Sequence, residues 1–372
     1  MSAPSITSST SPNPSSSQAQ FEGTSAVAER HRFDEVKLIA YLEAHLPAEV
    51  LPLQMPLSIE QFKGGQSNPT YKLITPNRSF VMRAKPGPSA KLLPSAHAIE
   101  REYKVISALG KTDVPVPKVY CLCEDESVIG RAFYIMECVE GRVLWEQSLP
   151  GMTPEERTAI YAELNRTIAK LHKVDYKAIG LEDFGKPGNY FSRQIGRWSK
   201  QYQASETESI EAMDKLIEWL PKHIPPGDET SIVHGDFRLD NTVFHPTEPR
   251  ILAILDWELS TLGHPLADFS YHCMSWHISP GQFRGIGGLN LEELGIPSEK
   301  DYIESYCRQT GRSKIENWNF YLAYNMFRLA GILQGIMKRV VDGTAASSQA
   351  AATGRSARPL AEQGWKIIER SF

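Results

Sequence analysis

Three polar side chains in residues 231–257 have the types and the order that phosphoryl transfer requires. Asp236 lies in a short loop, Asn241 follows five residues later, and Asp256 comes directly after an apolar run. A carboxylate such as Asp236 can accept the proton of a hydroxyl group, while the oxygens of Asn241 and Asp256 suit Mg²⁺ beside a nucleotide triphosphate. Because Mg²⁺ takes only one or two carboxylates when it also binds phosphate oxygens, this sparse set is sufficient.

The elements around these residues predict how they are positioned. A short apolar segment leads into the loop, and Thr242 begins a brief strand that leaves it. After a proline-rich turn, the continuous apolar run at residues 251–255 is typical of a buried strand. A hairpin of these two strands would place Asp236 and Asn241 on one arm and Asp256 at the tip of the other.

Asp236 and Asn241 also have a simpler interpretation as ordinary turn residues, since Asp and Asn side chains often bond the backbone of a turn. An isolated His-Gly-Asp would favour that interpretation. Here the loop, the Asn and the Asp that ends a strand occur together and in order. The combination favours a catalytic site.

The segment HGDFRLDN followed by ILDWE resembles the aminoglycoside phosphotransferase family, which is related to protein kinases and choline kinases. The closest branch is the kinase-like domain found fused to acyl-CoA dehydrogenases, with its stand-alone relatives. Supporting stretches are FVMRAKPG, HAIEREYKVISAL, VPVPKVYCLCED, GRAFYIMECVEG, LSTLGHPLADFSYHC and FRLAGILQGI. The resemblance implies an α+β, protein-kinase-like fold of two lobes, with ATP and Mg²⁺ as cofactors and with Asp236 and Arg238 as catalytic residues.

The resemblance also implies a domain organisation. We expect an N-lobe at residues 26–139, built from an antiparallel sheet and one helix, and a mainly helical C-lobe at residues 140–372 that carries the catalytic loop. Residues 1–25 are rich in Ser, Pro and Thr. Because such a composition cannot bury enough apolar surface to order itself, we expect a disordered tail there.

Candidate nucleotide-binding residues fall mostly in the predicted N-lobe. A Gly-rich turn between two predicted strands can bring backbone N–H groups to phosphates, although the same residues also suit a plain hairpin. Arg83 lies on the next strand, where the resemblance implies a contact with the α- and β-phosphates. Lys85 shares that strand face, so the assignment between the two cations stays open. The candidates are Gly64, Gly65, Gln66, Ser67, Asn68, Arg83, Glu102, Glu137 and Val139.

Glu102 borders the apolar face of the helix predicted at residues 96–109. A carboxylate in that position needs a partner, and an ion pair between Arg83 and Glu102 would satisfy it, as the resemblance implies. The resemblance also places the hinge between the lobes near Glu137 and Val139, whose backbone groups would hold adenine.

Other features of the predicted C-lobe concern its framework. Thr153 has the N-cap pattern of a helix that runs to about residue 173. The resemblance gives Asp268 a bracing role beneath the catalytic loop, and His172 is expected to be a hydrogen-bonded structural residue. We expect a surface loop at residues 276–294.

Two further expectations concern the C-terminal part of the chain. The long apolar pattern at residues 315–341 predicts a core helix, with a wall for an acyl chain as the minor alternative. The small and polar residues at 342–358 predict a mobile loop or linker.

The composition limits the classes of function that the protein can have. The 372 residues are 41% hydrophobic and 23% charged, which is ordinary for a folded protein. The net charge of -4 does not indicate the basic surface that binds nucleic acid. No apolar stretch has the length of a transmembrane helix. Five cysteines without a ligand-pair pattern disfavour a disulfide framework. We expect a cytoplasmic protein whose partner is a small-molecule substrate, with neither nucleic acid nor a membrane.

The function that these features favour is a kinase for a small-molecule hydroxyl, and the nearest branch implies a hydroxyacyl-CoA acceptor. Aminoglycosides, choline and other small alcohols remain alternatives. A protein kinase is disfavoured because His-Gly-Asp replaces His-Arg-Asp, and an inactive nucleotide-binding module is disfavoured by the intact site candidates. A basic cluster favours the phosphates of CoA, although a solvated helix face explains it equally; its members are Lys186, Arg193, Arg197 and Lys200.

Overall fold

A computed structural model describes residues 23–63, 68–87, 98–344 and 349–370 of the chain. The chain divides into two units, the first from residues 1–100 and 119–138, the second from residues 101–118 and 139–372. In chain order the elements are β1 (Thr24–Ala26), α1 (Glu35–His45), β2 (Ser58–Phe62), β3 (Thr70–Thr75), β4 (Arg78–Ala84), α2 (Ile99–Leu109), β5 (Val119–Cys123), α3 (Glu126–Ile129), β6 (Phe133–Glu137), β7 (Arg142–Val143), α4 (Pro154–Lys173), α5 (Tyr190–Ala204), α6 (Glu211–Trp219), β8 (Ser231–Val233), β9 (Thr242–Phe244), β10 (Ile251–Ile254), β11 (Thr261–Gly263), α7 (Pro265–Cys273), α8 (Leu291–Leu294), α9 (Glu299–Thr310), α10 (Trp318–Val341), α11 (Ala350–Gly354) and α12 (Ala357–Glu369).

The first unit is built on an antiparallel sheet in the order β1-β2-β3-β4-β6-β5. Strand β3 alternates as a half-buried strand should, with Tyr71 and Leu73 turned into the core. Helix α1 covers that core with Leu38 and Leu42, which are fully buried. Asp34 begins α1 by accepting a hydrogen bond from the backbone N–H of Lys37 at 3.1 Å.

Strand β1 lies at the end of the segment predicted as a tail. It pairs with β2, Thr24 opposite Phe62. The pairing is made by backbone groups, so the polar composition of this segment gave no sign of a strand. Residues 1–22 lie outside the described part of the chain.

The second unit is mainly helical. Helix α4 begins as predicted with Thr153, and Glu156 completes a capping box in which each residue's side chain bonds the backbone N–H of the other. Helix α10 is buried along most of its length and packs against α5, α7 and α12, which confirms the core helix predicted at residues 315–341. The predicted α+β class, with an antiparallel sheet followed by a mainly helical region, is also confirmed.

The hairpin predicted around the catalytic loop is confirmed as well. Strands β9 and β10 are antiparallel, with Phe244 opposite Ile251 and Thr242 opposite Ile254. Strand β7 adds to the free edge of β9. Strand β8, which leads into the loop, pairs instead with β11.

Two loop predictions were wrong. Residues 276–294 do not form a plain surface loop, because Trp276, Ile278 and Ile286 are buried and α8 ends the segment. Residues 342–358 contain α11 and the start of α12. The small residues of α11 allow close packing on α10, since a Cβ at Gly354 would lie 2.9 Å from the Cβ of Met337. Among the described residues, no helix is both long enough and apolar enough to span a membrane.

Candidate active site

The catalytic loop turns sharply where β8 ends. Gly235 has φ +82, a backbone conformation that favours glycine, and a Cβ there would lie 2.7 Å from the carbonyl oxygen of Leu259. This close approach requires glycine between His234 and Asp236. The chain then runs through a short 3₁₀ turn that ends at Asn241 and enters β9.

Asp268, on α7, holds the backbone of this loop. Its two carboxylate oxygens accept hydrogen bonds from the N–H groups of His234 at 2.7 Å and Gly235 at 2.8 Å. His172 lies 3.2 Å from the same carboxylate and 2.7 Å from the hydroxyl of Tyr306. Burial alone would raise the pKa of Asp268, but the hydrogen bond and charge of His172 hold that pKa below its ordinary value. The predicted bracing role of Asp268 and the predicted structural role of His172 are confirmed.

His234 connects the loop to the strand that precedes Asp256. Its Nε2 lies 2.8 Å from the carbonyl oxygen of Leu255, and its Nδ1 lies 3.2 Å from the backbone N–H of Asp236. A carbonyl can only accept, so Nε2 carries the proton and Nδ1 accepts. The backbone N–H of Leu255 also donates to the carbonyl oxygen of Asn241 at 2.8 Å. These bonds fix the segment that carries Asp256 to the segment that carries Asp236 and Asn241.

The carboxylate of Asp236 is held by three neighbouring side chains. Asn241 Nδ2 donates to its Oδ2 at 3.1 Å and to its backbone carbonyl at 2.9 Å. A guanidinium nitrogen of Arg238 lies 3.0 Å from the same Oδ2. The hydroxyl of Tyr271 donates to Oδ1 at 2.6 Å. The structure therefore brings together Asp236, Arg238 and Asn241, as the sequence predicts, and adds Tyr271.

Asp256 follows β10 in a left-handed conformation, with φ +63 and ψ +60. The next residue, Trp257, is buried and donates its indole N–H to the carbonyl oxygen of Ile254 at 2.9 Å. The charge of the Asp256 carboxylate contributes to the pKa of Arg238. Burial would lower the pKa of Arg238, but the charges of Asp236 and then of Asp240 raise it, with a smaller contribution from Asp256.

A second cluster of charges adjoins the first. Asp240 is almost fully buried, and its Oδ2 accepts a hydrogen bond from Arg284 at 2.6 Å and lies 3.6 Å from Arg238. Arg328 of α10 donates to the carbonyl oxygen of Gly235 at 2.9 Å, and its guanidinium lies 5.3 Å from the ring centre of Tyr271. None of Asp240, Arg284 or Arg328 was predicted as a site residue.

The metal-binding candidates fit Mg²⁺ by their chemistry. Because Asn241 donates through Nδ2, the oxygen of the same amide is left as a ligand, and Asp256 supplies a carboxylate. Amide, carboxylate and phosphate oxygens are the ligands that this ion prefers. Within the described part of the chain there is no group of three or more His, Cys, Asp or Glu residues that could hold a metal by itself.

Five of the predicted nucleotide-binding residues lie in the described part of the chain, and the contacts of all nine with ATP remain predictions. Gly64, Gly65, Gln66 and Ser67 lie outside the described residues, while Asn68 and Arg83 of the first unit are buried. Lys85 follows the end of β4 and is paired with Glu100, so it has a carboxylate partner of its own. The remaining three candidates are Glu102, buried on α2, and Glu137 and Val139, at and just after the end of β6.

Comparison with solved structures defines the class of the fold. A choline kinase from Cryptosporidium parvum is 13% identical, with a TM-score of 0.58 over 91% of this chain and 97% of that chain. A thermostable mutant of an aminoglycoside phosphotransferase, in a ternary complex with AMP-PNP and hygromycin B, is 15% identical, with a TM-score of 0.55 over 88% of this chain and 98% of that chain. The fold is therefore that of the kinase-like phosphotransferases.

The family follows from closer matches. The model of a phosphotransferase enzyme family matches residues 58–295, and the chain belongs to that family. A protein of Ralstonia eutropha JMP134, provisionally described as an aminoglycoside phosphotransferase, is 65% identical, with a TM-score of 0.84 over 91% of this chain and 99% of that chain.

Two further relatives are longer proteins. Mouse acyl-CoA dehydrogenase family member 10 is 48% identical over 318 residues, which are 85% of this chain and 30% of that protein. Rat acyl-CoA dehydrogenase family member 11 is 44% identical over 353 residues, which are 94% of this chain and 45% of that protein. The chain thus spans less than half the length of these relatives.

Proposed function

We propose that the chain transfers the γ-phosphoryl group of ATP to a hydroxyl of a small molecule, with Asp236 as the base. The acceptor oxygen forms the new bond to phosphorus, the bond between that phosphorus and the β,γ-bridging oxygen breaks, and ADP leaves. The proton of the hydroxyl passes to Asp236. The observation that carries the proposal is the fixed yet accessible carboxylate of Asp236, which is 17% exposed on a loop braced by Asp268.

Asn241 and Asp256 would hold Mg²⁺, which when bound supplies positive charge to the phosphate oxygens. The hydrogen bond from Asn241 Nδ2 to Asp236 ties the base to this pair. The ion pair of Arg238 with Asp236 keeps the carboxylate oriented. Arg238 therefore acts on the base in this proposal and not on the nucleotide.

We propose that ATP is bound by the predicted nucleotide-binding residues, most of which belong to the first unit. The relative crystallised with AMP-PNP shares the fold, which supports a nucleotide for this chain. Arg83, which is buried within β4, is the candidate for the phosphate-binding cation that the resemblance implies, and Lys85, which follows β4 and is paired with Glu100, is the alternative. The Gly-rich turn at residues 64–67 with Asn68 would cover the phosphates, and Glu137 with Val139 would contact adenine.

We propose a hydroxyacyl-CoA as the acceptor. The names of the long relatives associate this kind of chain with acyl-CoA chemistry. Helix α5 supports an anionic acceptor, because it carries Arg193, Arg197 and Lys200 and no carboxylate. Cations of this kind are suited to the phosphates of CoA and unsuited to a polycation such as an aminoglycoside.

The test is ATP consumption by the purified chain with Mg²⁺ against 4-hydroxyacyl-CoAs, free hydroxy acids, aminoglycosides and choline. We expect turnover with the CoA thioesters. The Asp236→Ala variant should bind ATP as before and lose turnover by roughly 10²- to 10⁴-fold, the usual contribution of a general base.

Three outcomes decide between the proposals. Turnover with an aminoglycoside or choline alone would overturn the acceptor assignment and keep the kinase. Equal turnover in the Asp236→Ala variant would overturn the assignment of the base. Tight binding of Mg·ATP without transfer to any compound or to water would indicate a nucleotide-binding module.

A further inference from the structure

One face of α7 supports both the backbone and the side chain of the proposed base. Asp268 and Tyr271 are three residues apart, so they lie on the same side of the helix. Asp268 accepts hydrogen bonds from the backbone N–H groups of the two residues that precede Asp236. Tyr271 donates a hydrogen bond to the Asp236 carboxylate at 2.6 Å. Tyr271 is almost fully buried, so its hydroxyl makes this bond from a fixed position.

The two oxygens of the Asp236 carboxylate differ in how many donor groups lie beside them. Among the described residues, Oδ2 is approached by Asn241 at 3.1 Å and by Arg238 at 3.0 Å, whereas Oδ1 is approached by Tyr271 alone. A carboxylate offers about four acceptor positions, two on each oxygen. The remaining position is therefore on Oδ1, beside the hydroxyl of Tyr271.

The ring of Tyr271 is held from α10. The guanidinium of Arg328 lies over it at 5.3 Å and donates to the carbonyl oxygen of Gly235 at 2.9 Å. The charged groups that face Tyr271 are thus Asp236, Arg238 and Arg328. Burial, and then the charge of Asp236, raise the pKa of the Tyr271 hydroxyl far above its ordinary value, so it stays protonated and remains a donor.

We infer that Tyr271 is a positioning residue that holds Asp236 so that Oδ1 takes the proton of the acceptor hydroxyl. The acceptor then approaches Oδ1 beside the hydroxyl of Tyr271. In the transfer step the acceptor proton moves to Oδ1 of Asp236, and the proton of Tyr271 stays on its own oxygen. This inference rests on the proposed function, since it needs Asp236 to be the base.

The test compares Tyr271→Phe with the wild type, using the acceptor that is turned over or, failing that, the slow transfer to water. We expect kcat to fall roughly 10- to 100-fold, the range for one hydrogen bond to a charged group, while KM for ATP stays the same. A fall in kcat without a change in KM for ATP distinguishes positioning of the base from a loosened nucleotide site.

Two controls separate positioning from a general structural role. Tyr202→Phe removes another buried hydroxyl of the second unit, one without a hydrogen-bond partner among the described residues, and should leave kcat unchanged. Incorporation of 3,5-difluorotyrosine at position 271 retains the ring and makes a stronger donor. It should keep kcat near the wild-type value, whereas 4-fluorophenylalanine at position 271, which fills the space of the hydroxyl without donating, should lower kcat as Phe does and covers the case in which Tyr271→Phe fails to fold.

The inference is overturned if Tyr271→Phe has the wild-type kcat, or if KM for ATP rises together with the fall in kcat. Failure of the proposed function looks different. In that case the wild type and Asp236→Ala transfer phosphate at the same rate to every acceptor and to water. The assignments of Asp236 as the base and of Tyr271 as its positioning residue are then both wrong.

Discussion

Asp256 adopts a backbone conformation that most residues avoid. A left-handed φ of +63 costs about 1–3 kcal/mol for a residue other than glycine, although Asp tolerates it better than most. The strain lies where β10 ends, directly after the hydrogen bonds that tie Leu255 to His234 and Asn241. We propose that this conformation serves the role of Asp256 as a ligand of Mg²⁺.

Asp256→Asn should weaken the binding of Mg·ATP. Asn also tolerates the left-handed region, so the backbone is conserved and only the charge is lost. We expect a loss of affinity of at least about 10-fold, since even residues that merely support a metal ligand contribute 10- to 100-fold. Calorimetric titration with Mg·ATP measures it. The control, Asp236→Asn, should bind Mg·ATP nearly as well as the wild type, and the same loss in both variants would contradict separate roles.

The residues of this site differ in how far the sequence predicts them. Asp236, Asn241 and Asp256 follow from their order and spacing around two apolar strands, and the hairpin places them as expected. Tyr271 gives no such signal, because it lies in a helix whose residues are all buried and where a tyrosine is ordinary core. Only its spacing of three from Asp268 could have suggested that it faces the same loop.

Helix α7 is the element on which the catalytic loop rests, and two buried histidines belong to it. His264 caps its first turn, accepting the backbone N–H of Leu266 through Nδ1 at 3.2 Å. His272 lies near its end, with Nε2 2.8 Å from the hydroxyl of Tyr302. Burial lowers the pKa of each histidine to about 4. Both are therefore neutral in the folded chain under ordinary conditions.

These histidines predict a loss of stability in mild acid. In the unfolded chain a histidine binds a proton below pH about 6.5, whereas the folded chain resists protonation down to about pH 4. The unfolded state thus binds more protons between these values, and stability falls as the pH falls from 6.5 to 4. Each histidine contributes a slope of at most about 1.4 kcal/mol per pH unit. Urea unfolding at several values of pH measures the slope.

His264→Asn is the matched variant for this prediction. Asn can cap a helix through its side-chain oxygen, and it does not titrate in this range. The variant should therefore show a smaller slope of stability against pH, whatever its stability at neutral pH. An unchanged slope, with His272 intact in both proteins, would mean that His264 is not protonated on unfolding in this window.

Helices and loops also differ in how well the sequence predicts them. Helix α4 follows from Thr153, whose capping pattern is local and is present in the structure. The segment at 276–294 was predicted wrongly because its buried Trp276, Ile278 and Ile286 form no sustained helical or strand period, and because Gly281 and Gly285 lie between the two isoleucines. Such residues are buried by tertiary contacts, which a local pattern does not contain.

At the scale of the whole molecule, the charge is unevenly distributed. The chain has a net charge of -4, yet α5 presents Arg197 and Lys200 to solvent, with Arg193 half-buried. Arg197 and Arg328 both approach the ring of Trp198, at 5.5 and 5.8 Å. Arg328 also contacts the catalytic loop, so a series of contacts through Trp198 and Arg328 joins Arg197 to the surroundings of Asp236.

Reversing the exposed charges of α5 should separate acceptors that carry phosphates from those that do not. The double variant Arg197→Glu/Lys200→Glu should raise KM for a 4-hydroxyacyl-CoA by up to about 10-fold, since each exposed charge contributes little, and KM for the free hydroxy acid should stay the same. The effect should shrink as salt screens the charges. The control Lys173→Glu/Lys222→Glu makes the same change of net charge at exposed lysines outside α5. An equal rise in KM for both acceptors, or in the control, would show that net charge matters and that α5 does not bind the acceptor.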